Sequence, residues 1–443
     1  MGQLLNAVHT NLDQIPAHHL YGRVTSVQGM LVEVGGVQRR LMVGDHCHIH
    51  RRSNTPLRCE VIGFKEGRAL LLPYGPLEGI GLGCKAEVEN QDPVIRPTPN
   101  WLGRVVNALG QPVDGKGPLD EGDKPCRLRS QPPPAHSRQR VKGKVDLGVR
   151  AINTFLTCCR GQRMGILSGS GVGKSVLLGM MARYTTADVN VIGLVGERGK
   201  EVQEFIADNL GEEGLAHSVV VVATSDETPL MRRQAAYVTM ALAEYFRDLE
   251  KDVLCVIDSV TRFAMAQREI GLSGGEPPTS KGYTPTVFAE LPKLLERAGP
   301  GSGKGTITGL FSVLVEGDDH DEPIADALRG ILDGHIVLER SIAERGRFPA
   351  INVLRSLSRS MPDCNSPEEN ALVERARQMI ATYEDMEEMI RLGAYRHGSD
   401  GRIDASMEFY PALESFLAQD RNERSDLATG YAELAQIYRE AGE

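Results

Sequence analysis

The chain has 443 residues, of which 41% are hydrophobic and 25% are charged, and its formal net charge is −9. This length predicts two to four domains, and this composition is typical of a globular protein that buries a sizeable core. The acidic balance argues against a protein that coats nucleic acid, because such proteins usually carry a basic excess. The sequence contains no apolar run of about 18 residues, so no membrane-spanning helix is predicted.

The amino-terminal stretch MGQLLNAVHTNLDQ lacks the basic and apolar regions of a signal peptide. Leu4, Leu5, Val8 and Leu12 recur at helical spacing. Residues 1–20 are therefore predicted to form an N-terminal arm. A short helix packed on the body is the favoured interpretation, and an arm that docks on a partner or a membrane is the alternative.

The cysteine and histidine residues give weak signals. The eight cysteines are scattered without the spacing of a disulfide framework or a zinc site, which favours reduced thiols in a cytoplasm. In a strand, His46, His48 and His50 would share one face and could approach a metal ion. No fourth ligand is evident, so a solvated strand face is the favoured interpretation.

Three regions differ in their hydrophobic pattern. Residues 21–93 carry short β-type runs broken by Gly, Asn and Pro, which predicts a small barrel or sandwich, assigned here as a β-barrel domain. Residues 94–360 alternate nearly continuous apolar runs with helical patterns, which predicts an α/β core whose parallel sheet is covered on both faces. Residues 361–443 have only charged, amphipathic patterns and are predicted as a helical C-terminal domain.

A glycine-rich stretch in the α/β core, LSGSGVGKS, has the order of a phosphate-binding loop. It follows the short apolar run MGIL, it opens an amphipathic helix, and it ends in Lys and then Ser. In such loops backbone N–H groups wrap the phosphates, the Lys neutralises their charge and the hydroxyl ligates Mg²⁺. The one departure from the usual pattern is Ser168 in place of the first Gly. The predicted nucleotide-binding residues are Ser168, Gly169, Ser170, Gly171, Val172, Gly173, Lys174, Ser175 and Val176.

A second glycine-rich stretch, AGPGSGKGTIT at residues 298–308, does not meet the same requirements. A helical pattern precedes it and a β-branched run follows it, which is the reverse order. Gly305 follows Lys304, so the hydroxyl that would ligate Mg²⁺ is missing. We predict a surface turn, with a contact inside an assembly as the alternative.

Two further strands predict acidic groups near the phosphates. The run VLCVID ends in Asp258, which suits the Mg²⁺ shell, with a helix N-cap as the alternative. The strand after the phosphate-loop helix ends in Glu197, a candidate to orient and deprotonate the attacking water. Glu201 lies one helical turn further on and could hold the water molecules of the metal ion.

These motifs resemble those of one superfamily. The stretches SGSGVGKS, GER at residues 196–198, DSVTR at residues 258–262 and PAINVLRSLSR at residues 349–359 are similar to rotary and hexameric ATPases. These comprise the F- and V-type catalytic subunits and their type III export relatives, which share a RecA-like P-loop core. RGQRMG and GEPPTSKGYTPTVF more closely resemble the type III secretion group, and the flagellar export ATPases are the most similar family. The resemblance covers residues 20–440.

The resemblance implies ATP as the nucleotide and Mg²⁺ as its metal ion. It implies that Lys174 and Ser175 bind phosphate and Mg²⁺, and that Asp258 belongs to the Mg²⁺ shell. Phe348 occupies the position at which an aromatic residue stacks on adenine.

The resemblance also implies a catalytic group. Glu197 corresponds to the catalytic carboxylate, with Arg198 beside it, and Arg262 resembles an arginine near the γ-phosphate. Arg359 corresponds to an arginine finger that reaches the nucleotide of a neighbouring subunit, which implies a homohexamer. A surface salt bridge is the alternative for Arg359.

The implied function is a cytoplasmic ATP hydrolase that energises protein export by the flagellar type III secretion apparatus. The implied partners are a regulatory or stator-like protein, an export gate, export chaperones and their substrates, with peripheral contact at the inner membrane. The alternatives are an injectisome ATPase, an F- or V-type catalytic subunit, a non-catalytic nucleotide-binding subunit and an RNA translocase. Net charge and an aromatic content of 5% argue against nucleic acid as a partner.

Overall fold

The computed structural model describes residues 20–51, 55–89, 93–315, 317 and 322–440. The predicted N-terminal arm lies outside the described residues, apart from Leu20.

The first domain is a closed antiparallel barrel with the strand order β1-β2-β5-β4-β3-β6. Its strands alternate inward apolar and outward polar residues, as Val32 and Val34 on either side of Glu33 illustrate. The closed barrel confirms one of the two architectures expected from the short β-type runs. The strands are β1 (Tyr21–Gln28), β2 (Leu31–Gly35), β3 (His46–Ile49), β4 (Leu57–Lys65), β5 (Arg68–Pro73) and β6 (Lys85–Glu89).

The three histidines of the barrel have different surroundings. His46 is 3% exposed, and its Nε2 lies 3.1 Å from the Tyr74 hydroxyl, so the expectation of a solvated strand face is wrong for this residue. His50 lies beyond the end of β3, and its Nε2 is 2.9 Å from Glu87. In the described part of the chain, no three His, Cys, Asp or Glu side chains are grouped so as to hold a metal ion.

The second unit is built on a nine-stranded sheet with the order β19-β18-β12-β17-β15-β13-β14-β8, and β16 pairs with β17. All pairs are parallel except β18–β19 and β16–β17. The remaining strands form two small two-stranded sheets. The strands are β7 (Val94–Ile95), β8 (Val105–Asn107), β9 (Cys126–Arg127), β10 (Lys144–Val145), β11 (Cys158–Cys159), β12 (Arg163–Ser168), β13 (Val189–Glu197), β14 (Ser218–Thr224), β15 (Asp252–Asp258), β16 (Gly299–Pro300), β17 (Thr306–Leu314), β18 (Gly334–Leu338) and β19 (Ile351–Ser358).

Helices cover both faces of this sheet. A π-helix, Phe205–Leu210, joins two of them, and short 3-10 helices occupy Pro99–Trp101, Ala135–Ser137 and Ser280–Gly282. The α-helices are α1 (Arg150–Phe155), α2 (Lys174–Tyr184), α3 (Gly199–Glu204), α4 (Gly211–Ala216), α5 (Pro229–Asp248), α6 (Val260–Ser273), α7 (Pro285–Leu295), α8 (Pro323–Ile331), α9 (Arg340–Glu344), α10 (Pro367–Arg391), α11 (Gly401–Leu417) and α12 (Leu427–Glu440).

The strand β13 shows why both faces need cover. Val191 and Val195 belong to the apolar core on the side of α5, α6 and α7, whereas Ile192 and Leu194 belong to the core on the side of α1 and α2. A strand that is apolar on both faces is stable only between two layers of helices. The predicted α/β core with a doubly covered parallel sheet is therefore confirmed.

The last unit consists of α10, α11 and α12. A capping box begins α10, since Ser366 and Glu369 each accept a hydrogen bond from the other's backbone N–H. Phe409 and Leu434 are buried in the same core as α1. The helical region predicted after the sheet is confirmed, whereas the predicted boundaries between residues 93 and 94 and between residues 360 and 361 stay predictions.

Candidate active site

The site lies at the edge of the sheet where the parallel strands end. The strands β12, β13 and β15 end at Ser168, Glu197 and Asp258, and all three belong to one parallel array. Their carboxyl ends therefore meet at one edge, which is where open α/β sheets bind ligands. The sequence predicted these three strand ends, and the topology brings them together.

The loop from β12 to α2 has the backbone that a phosphate requires. Gly171 and Gly173 have φ values of 79° and 92°, a region that favours glycine, and a Cβ on Gly171 would meet no atom within 4 Å. The helix α2 begins at Lys174, so its free N–H groups face the loop. Ser168 is the last residue of β12, and its extended backbone has no need of a glycine.

The Lys174 side chain lies between two carboxylates. It is 9% exposed, its Nζ donates a hydrogen bond to Asp258 Oδ1, and it lies 3.6 Å from Glu197 Oε1. Burial alone would lower the pKa of Lys174, but Asp258 first and Glu197 second outweigh it and raise that pKa. Lys174 is therefore a fixed positive charge at the mouth of the glycine loop.

Asp258 is held within the protein through one of its carboxylate oxygens, Oδ1. It is 2% exposed, and its Oδ1 also accepts a hydrogen bond from the Ser312 hydroxyl at 2.6 Å. The next residue, Ser259, is the N-cap of α6 and accepts from the backbone N–H of Arg262. The helix N-cap alternative for Asp258 is therefore wrong.

One oxygen of the Glu197 carboxylate accepts no hydrogen bond, although it lies within ion-pair distance of Lys174. Its Oε1 is buried and has no hydrogen-bond partner, while the carboxyl group shares a hydrogen bond with Glu201. Burial raises the pKa of Glu197 to about 7, against the opposing effect of Lys174 and with further upward contributions from Asp258 and Glu201. Such a group can accept a proton near neutral pH.

Two of the predicted arginines lie close to Glu197, Arg198 as the next residue in the chain and Arg262 through its packing against Gly196. Arg198 is exposed, and its backbone N–H donates to the Glu201 carboxylate at 3.3 Å. Arg262 packs against the end of β13, since a Cβ added to Gly196 would lie only 2.7 Å from the Cβ of Arg262. The Nε of Arg262 is buried and has no hydrogen-bond partner.

Arg359 lies at the opposite edge of the sheet. The antiparallel strand β19 ends at Ser358, and the backbone N–H of Arg359 donates to the carbonyl of Asp333, just before the start of β18. The six-residue strand β12 separates the two edges by about 17 Å, at about 3.3 Å per residue. The Arg359 guanidinium donates to the Arg329 carbonyl at 3.1 Å. The fold thus separates Arg359 from the Lys174 of its own chain.

Phe348 lies next to the glycine loop. A Cβ on Gly173 would lie 3.5 Å from the Phe348 ring, and 47% of Phe348 is exposed. The ring lines a cavity of about 530 Å³ together with Val176, Leu177 and Met180 of α2. A cavity beside a phosphate loop that has this apolar wall, with polar residues 419–421 and Glu423 opposite, fits a flat aromatic base with polar edges.

Sequence reasoning missed three contacts of this site. Ser312 contacts Asp258, Arg340 donates to the Ser170 carbonyl at 3.0 Å, and the backbone N–H of Gln419 donates to the Phe348 carbonyl at 2.8 Å. A lone hydroxyl in the apolar run GLFSVLV was a signal for Ser312. The other two depend on tertiary contacts that leave no local pattern.

The second glycine-rich stretch lies away from this site. It forms the turn between β16 and β17, and Gly301 donates its backbone N–H to the Gly305 carbonyl. The turn precedes Thr306, the first residue of β17, whereas the phosphate loop follows the last residue of the parallel neighbour β12. The helix α7 precedes the stretch and β17 continues beyond it, so the predicted helix-to-strand order is confirmed, with the two-residue strand β16 inside the stretch.

The residues at the carboxyl edge fit a nucleoside triphosphate with a divalent cation. The glycine loop offers N–H donors and room for phosphate, and Lys174 offers a buried positive charge. Ser175 and Asp258 offer oxygen atoms, which are the ligands that Mg²⁺ prefers. Glu197 Oε1 has no hydrogen-bond partner and lies 3.6 Å from the Lys174 ammonium.

Comparisons with known proteins show which family the chain resembles. Residues 148–358 match the nucleotide-binding domain of the ATP synthase alpha/beta family, and residues 365–436 match the C-terminal domain of the type III secretion ATPase EscN. The flagellum-specific ATP synthase of Caulobacter vibrioides is 59% identical over 432 residues, which cover 96% of this chain and 97% of that protein. The type 3 secretion system ATPase of Xanthomonas euvesicatoria is 46% identical and covers 91% of each chain.

Solved structures show the same fold. The assembled ATPase EscN of the enteropathogenic E. coli type III secretion system is 38% identical, with a TM-score of 0.88, and the match covers 94% of this chain and 99% of that one. A prototypical ATPase from the type III secretion system of pathogenic bacteria is 42% identical, with a TM-score of 0.72 and coverage of 78% and 99%. The chain therefore belongs to the ATP synthase alpha/beta family, among its flagellum-specific and type III secretion members, and is an ATP hydrolase with a P-loop fold.

Proposed function

We propose that this chain hydrolyses Mg²⁺-bound ATP at sites shared between identical subunits of a hexamer, and that the hydrolysis energises protein export by a flagellar type III secretion apparatus. One observation carries the proposal. The groups suited to binding and hydrolysis, Lys174, Asp258 and Glu197, lie at one edge of the sheet, and Arg359 lies at the other.

The nucleotide would be held by the glycine loop and the neighbouring cavity. Backbone N–H groups of residues 168–176 would donate to the phosphates, and the Lys174 ammonium would neutralise their outer charge. Phe348 would stack on the adenine, since its half-exposed ring stands over Gly173 at the mouth of the cavity.

The Mg²⁺ ion would be held by Ser175 and Asp258, with Glu201 holding its water molecules. When bound, this ion supplies charge neutralisation and orientation of the phosphates. Its protein ligands suit a cation that keeps several waters and needs only one or two carboxylates. The hydrogen bond from Ser312 fixes the Asp258 carboxylate in one orientation.

Glu197 would orient the attacking water and accept its proton. Its buried Oε1 lies 3.6 Å from the Lys174 ammonium but accepts no hydrogen bond, so it is available to a water molecule, and its raised pKa matches proton transfer near neutral pH. Arg198 lies beside it in the chain. Arg262, whose Cβ packs on Gly196, would direct its guanidinium toward the γ-phosphate and would give up the hydrogen bond of 3.5 Å that it donates to the Met265 sulfur.

Arg359 would complete the site of the next subunit. Because it lies about 17 Å from its own glycine loop, it can reach a nucleotide only if a second copy presents its carboxyl edge. An arginine finger supplied in this way is worth about 10³–10⁵ in rate. One chain that carries both edges can close a homohexameric ring with heterologous contacts.

The relatives suggest where the energy is used. Their names include flagellum-specific ATP synthase, and one EscN structure is a complex with its central stalk EscO. We therefore propose a regulatory or stator-like partner, and beyond it an export gate, export chaperones and their substrates. The ring would work in the cytoplasm, peripherally at the inner membrane, and without nucleic acid. In the described residues, no helix is long and apolar enough to cross a membrane.

The first test is ATP turnover per subunit, with Mg²⁺ present, over a wide range of protein concentration. We expect turnover per subunit to rise steeply with concentration, and Arg359→Ala to flatten that rise. Arg68→Ala is the matched control, because Arg68 is an exposed barrel arginine whose partner is Glu33. Constant turnover that is indifferent to Arg359 would contradict shared sites. No turnover at any concentration would favour an F- or V-type or non-catalytic subunit that needs a different partner chain.

A second candidate function is an injectisome ATPase, which the 46% identity to the Xanthomonas protein supports. The 59% identity to the Caulobacter protein favours the flagellar role. The test is to express this chain in Caulobacter vibrioides that lacks its own flagellum-specific ATP synthase. Restored motility is expected, with Lys174→Ala as the inactive control. The assignment would be reversed if the chain failed to restore motility there but restored secretion in Xanthomonas euvesicatoria that lacks its own type 3 secretion system ATPase.

A further inference from the structure

The turn that carries Arg359 lies at the margin of the large sheet. Arg359 directly follows β19, which is the outermost strand of the sheet and pairs with β18. An edge strand has a paired neighbour on one side only, so the residues beyond its end depend on other contacts for a fixed position. Arg359 is exposed, and its guanidinium donates to the Arg329 carbonyl at 3.1 Å. The contacts of its backbone therefore decide where this long side chain starts.

The backbone of Arg359 is held by Asp333. The Asp333 carbonyl accepts a hydrogen bond from the Arg359 N–H at 2.9 Å. The residues next to these two, Gly334 and Ser358, are direct partners in the β18–β19 ladder. The two strands come close at this point, because a Cβ on Gly334 would lie 2.4 Å from the Leu357 carbonyl oxygen. Arg359 therefore leaves the sheet from a point that Asp333 defines.

Asp333 is itself fixed by the first residue of β12. Its carboxylate accepts hydrogen bonds of 3.0 Å from Nε, Nη2 and the backbone N–H of Arg163. Its backbone N–H donates to the Arg163 carbonyl at 2.8 Å. A bidentate pair of this kind fixes the orientation of its partners as well as their separation. The Arg163 side chain also contacts Glu296, so its position does not depend on Asp333 alone.

Gln162 gives a second support beside the first. It is 0% exposed, and its Nε2 donates to the Asp333 carbonyl at 3.2 Å and to the Ser358 hydroxyl at 2.9 Å. The Gln162 amide thus joins the residue before Arg359 to the residue that accepts the Arg359 N–H. Gln162 and Arg163 stand at the start of β12, the strand that leads to the glycine loop. Both supports therefore rest on a central strand of the sheet.

We propose that Asp333 is a positioning residue for Arg359, and that its contacts with Gln162 and Arg163 aim this arginine at the nucleotide of the neighbouring subunit. This inference deepens the proposed function and rests on its shared sites. A group that is misplaced by about 1 Å can cost about 10²-fold in rate. The loss of the Asp333 carboxylate should be felt in the neighbouring site rather than in its own, because β12 stays paired with β17 and β18 without it.

The experiment mixes two full-length variants, each of which lacks one half of a shared site. Lys174→Ala copies keep the arginine but lack the lysine of the glycine loop, and Arg359→Ala copies keep the loop but lack the arginine. An equal mixture should recover about a quarter of the wild-type turnover, because half of the copies keep a loop and half of those have an arginine beside them. Asp333→Ala is then added to one kind of copy or to the other.

The effect of Asp333→Ala should depend on the copy that carries it. In the Lys174→Ala copies, which supply the arginine, it should lower the recovered turnover by about tenfold to a hundredfold. The ATP concentration for half-maximal turnover should stay the same, because the arginine acts in the transition state. In the Arg359→Ala copies, which supply the loop, the recovered turnover should stay nearly unchanged. This second mixture also shows that chains with Asp333→Ala fold and assemble.

Asp114→Ala is the matched control, because Asp114 belongs to a bidentate pair of the same kind. It accepts from Nε of Arg104 at 2.7 Å, from Nη2 at 2.9 Å and from the backbone N–H of Val105 at 3.0 Å. Val105 begins β8, which lies at the other end of the sheet from β19. Asp114→Ala should therefore affect the two kinds of copy alike.

The outcomes separate this inference from the proposed function. No recovery when Lys174→Ala and Arg359→Ala copies are mixed would contradict the shared sites, and the inference would fail with them. Recovery that Asp333→Ala lowers equally in both kinds of copy, in neither, or only in those that supply the loop would overturn the positioning role and leave the shared sites standing. A loss confined to the copies that supply the arginine would support both.

Discussion

Two of the places at which the described residues bury a carboxylate beside a basic side chain differ in whether the charges are fully paired. At the junction between the barrel and the core, Glu60 is 3% exposed and contacts Arg233, while Arg129 donates to it at 2.7 Å and Tyr74 at 2.9 Å. Burial alone would raise the pKa of Glu60, but Arg233 and then Arg129 outweigh it and lower that pKa to about 2.

At the carboxyl edge of the sheet the pairing is incomplete. Glu197 shares Lys174 with Asp258, one of its oxygens has no hydrogen-bond partner, and its pKa is raised to about 7. A complete ion pair holds two domains together, whereas an incomplete one keeps a proton acceptor near neutrality. The number of donors around a buried carboxylate, rather than the burial itself, therefore separates the structural site at Glu60 from the proposed catalytic site at Glu197.

The sharpest test of this contrast is Glu197→Gln, for which we expect turnover to fall by about 10²–10⁴ because the proton acceptor is lost. ATP binding and the thermal midpoint should not fall, since the amide needs no positive partner. Steady-state turnover, nucleotide binding and thermal unfolding check these points. Near-normal turnover would remove Glu197 from the proposed mechanism.

The converse change is Arg233→Met at the junction. Removing one partner of a buried ion pair costs about 3–5 kcal/mol, because the Glu60 carboxylate then keeps only Arg129 as a positive partner. We expect a lower thermal midpoint with near-normal turnover per folded subunit. The exposed Arg68→Ala is the control, with an expected cost of about 0–1 kcal/mol. Equal losses in the two variants would contradict the distinction.

The pH dependence of stability sharpens the contrast further. The folded pKa of Glu60, about 2, lies below its ordinary value of 4.5, so the contribution of Glu60 is complete above about pH 4.5 and is lost as the pH falls toward 2. We expect the gap in thermal midpoint between wild type and Glu60→Gln to shrink across that window. Burial lowers the pKa of His46 from 6.5 to about 4. The contribution of His46 to stability is therefore complete above about pH 6.5 and is lost as the pH falls toward 4. His46→Gln serves as the control, because its gap in thermal midpoint to wild type should shrink at a higher pH than that of Glu60→Gln. A Glu60→Gln gap that stays constant between pH 4.5 and 2 would contradict the lowered pKa assigned to Glu60.

The smallest expected effect is that of Ser312→Ala, which removes one hydrogen bond to Asp258. A loss of about 1 kcal/mol corresponds to about fivefold in turnover. We expect the Mg²⁺ concentration needed for half-maximal turnover to rise as well. Ser137→Ala, at an exposed serine that donates to the Pro134 carbonyl, should change neither quantity. A Ser312 variant that behaves in the same way would show that Asp258 needs no support.

The sequence predicted those features that have a local cause. The order strand, glycine loop and helix predicted the position of Lys174, and the apolar run before Asp258 predicted a strand end. The covered parallel sheet followed from strands that are apolar on both faces, and it is confirmed. The roles proposed for Glu197, Arg262 and Arg359 stay predictions.

Features with a non-local cause were out of reach. The contacts of Ser312 and Arg340 depend on which strands become neighbours, and no local sequence pattern predicts the order of strands in a sheet. His46 was expected on a solvated face, but the packing of the barrel against the rest of the chain buries it against Tyr74.

The separation of Lys174 and Arg359 across the sheet has a consequence for inheritance. One gene encodes both edges, so a substitution is present in every subunit and at every interface of a ring. No subunit can therefore specialise as the donor of the arginine or as its recipient. A single copy that is defective at both edges would impair two neighbouring sites, the one it forms and the one it completes. Mixtures of wild-type copies with copies substituted at both Lys174 and Arg359 would therefore lose activity faster than the fraction of altered copies alone would dictate.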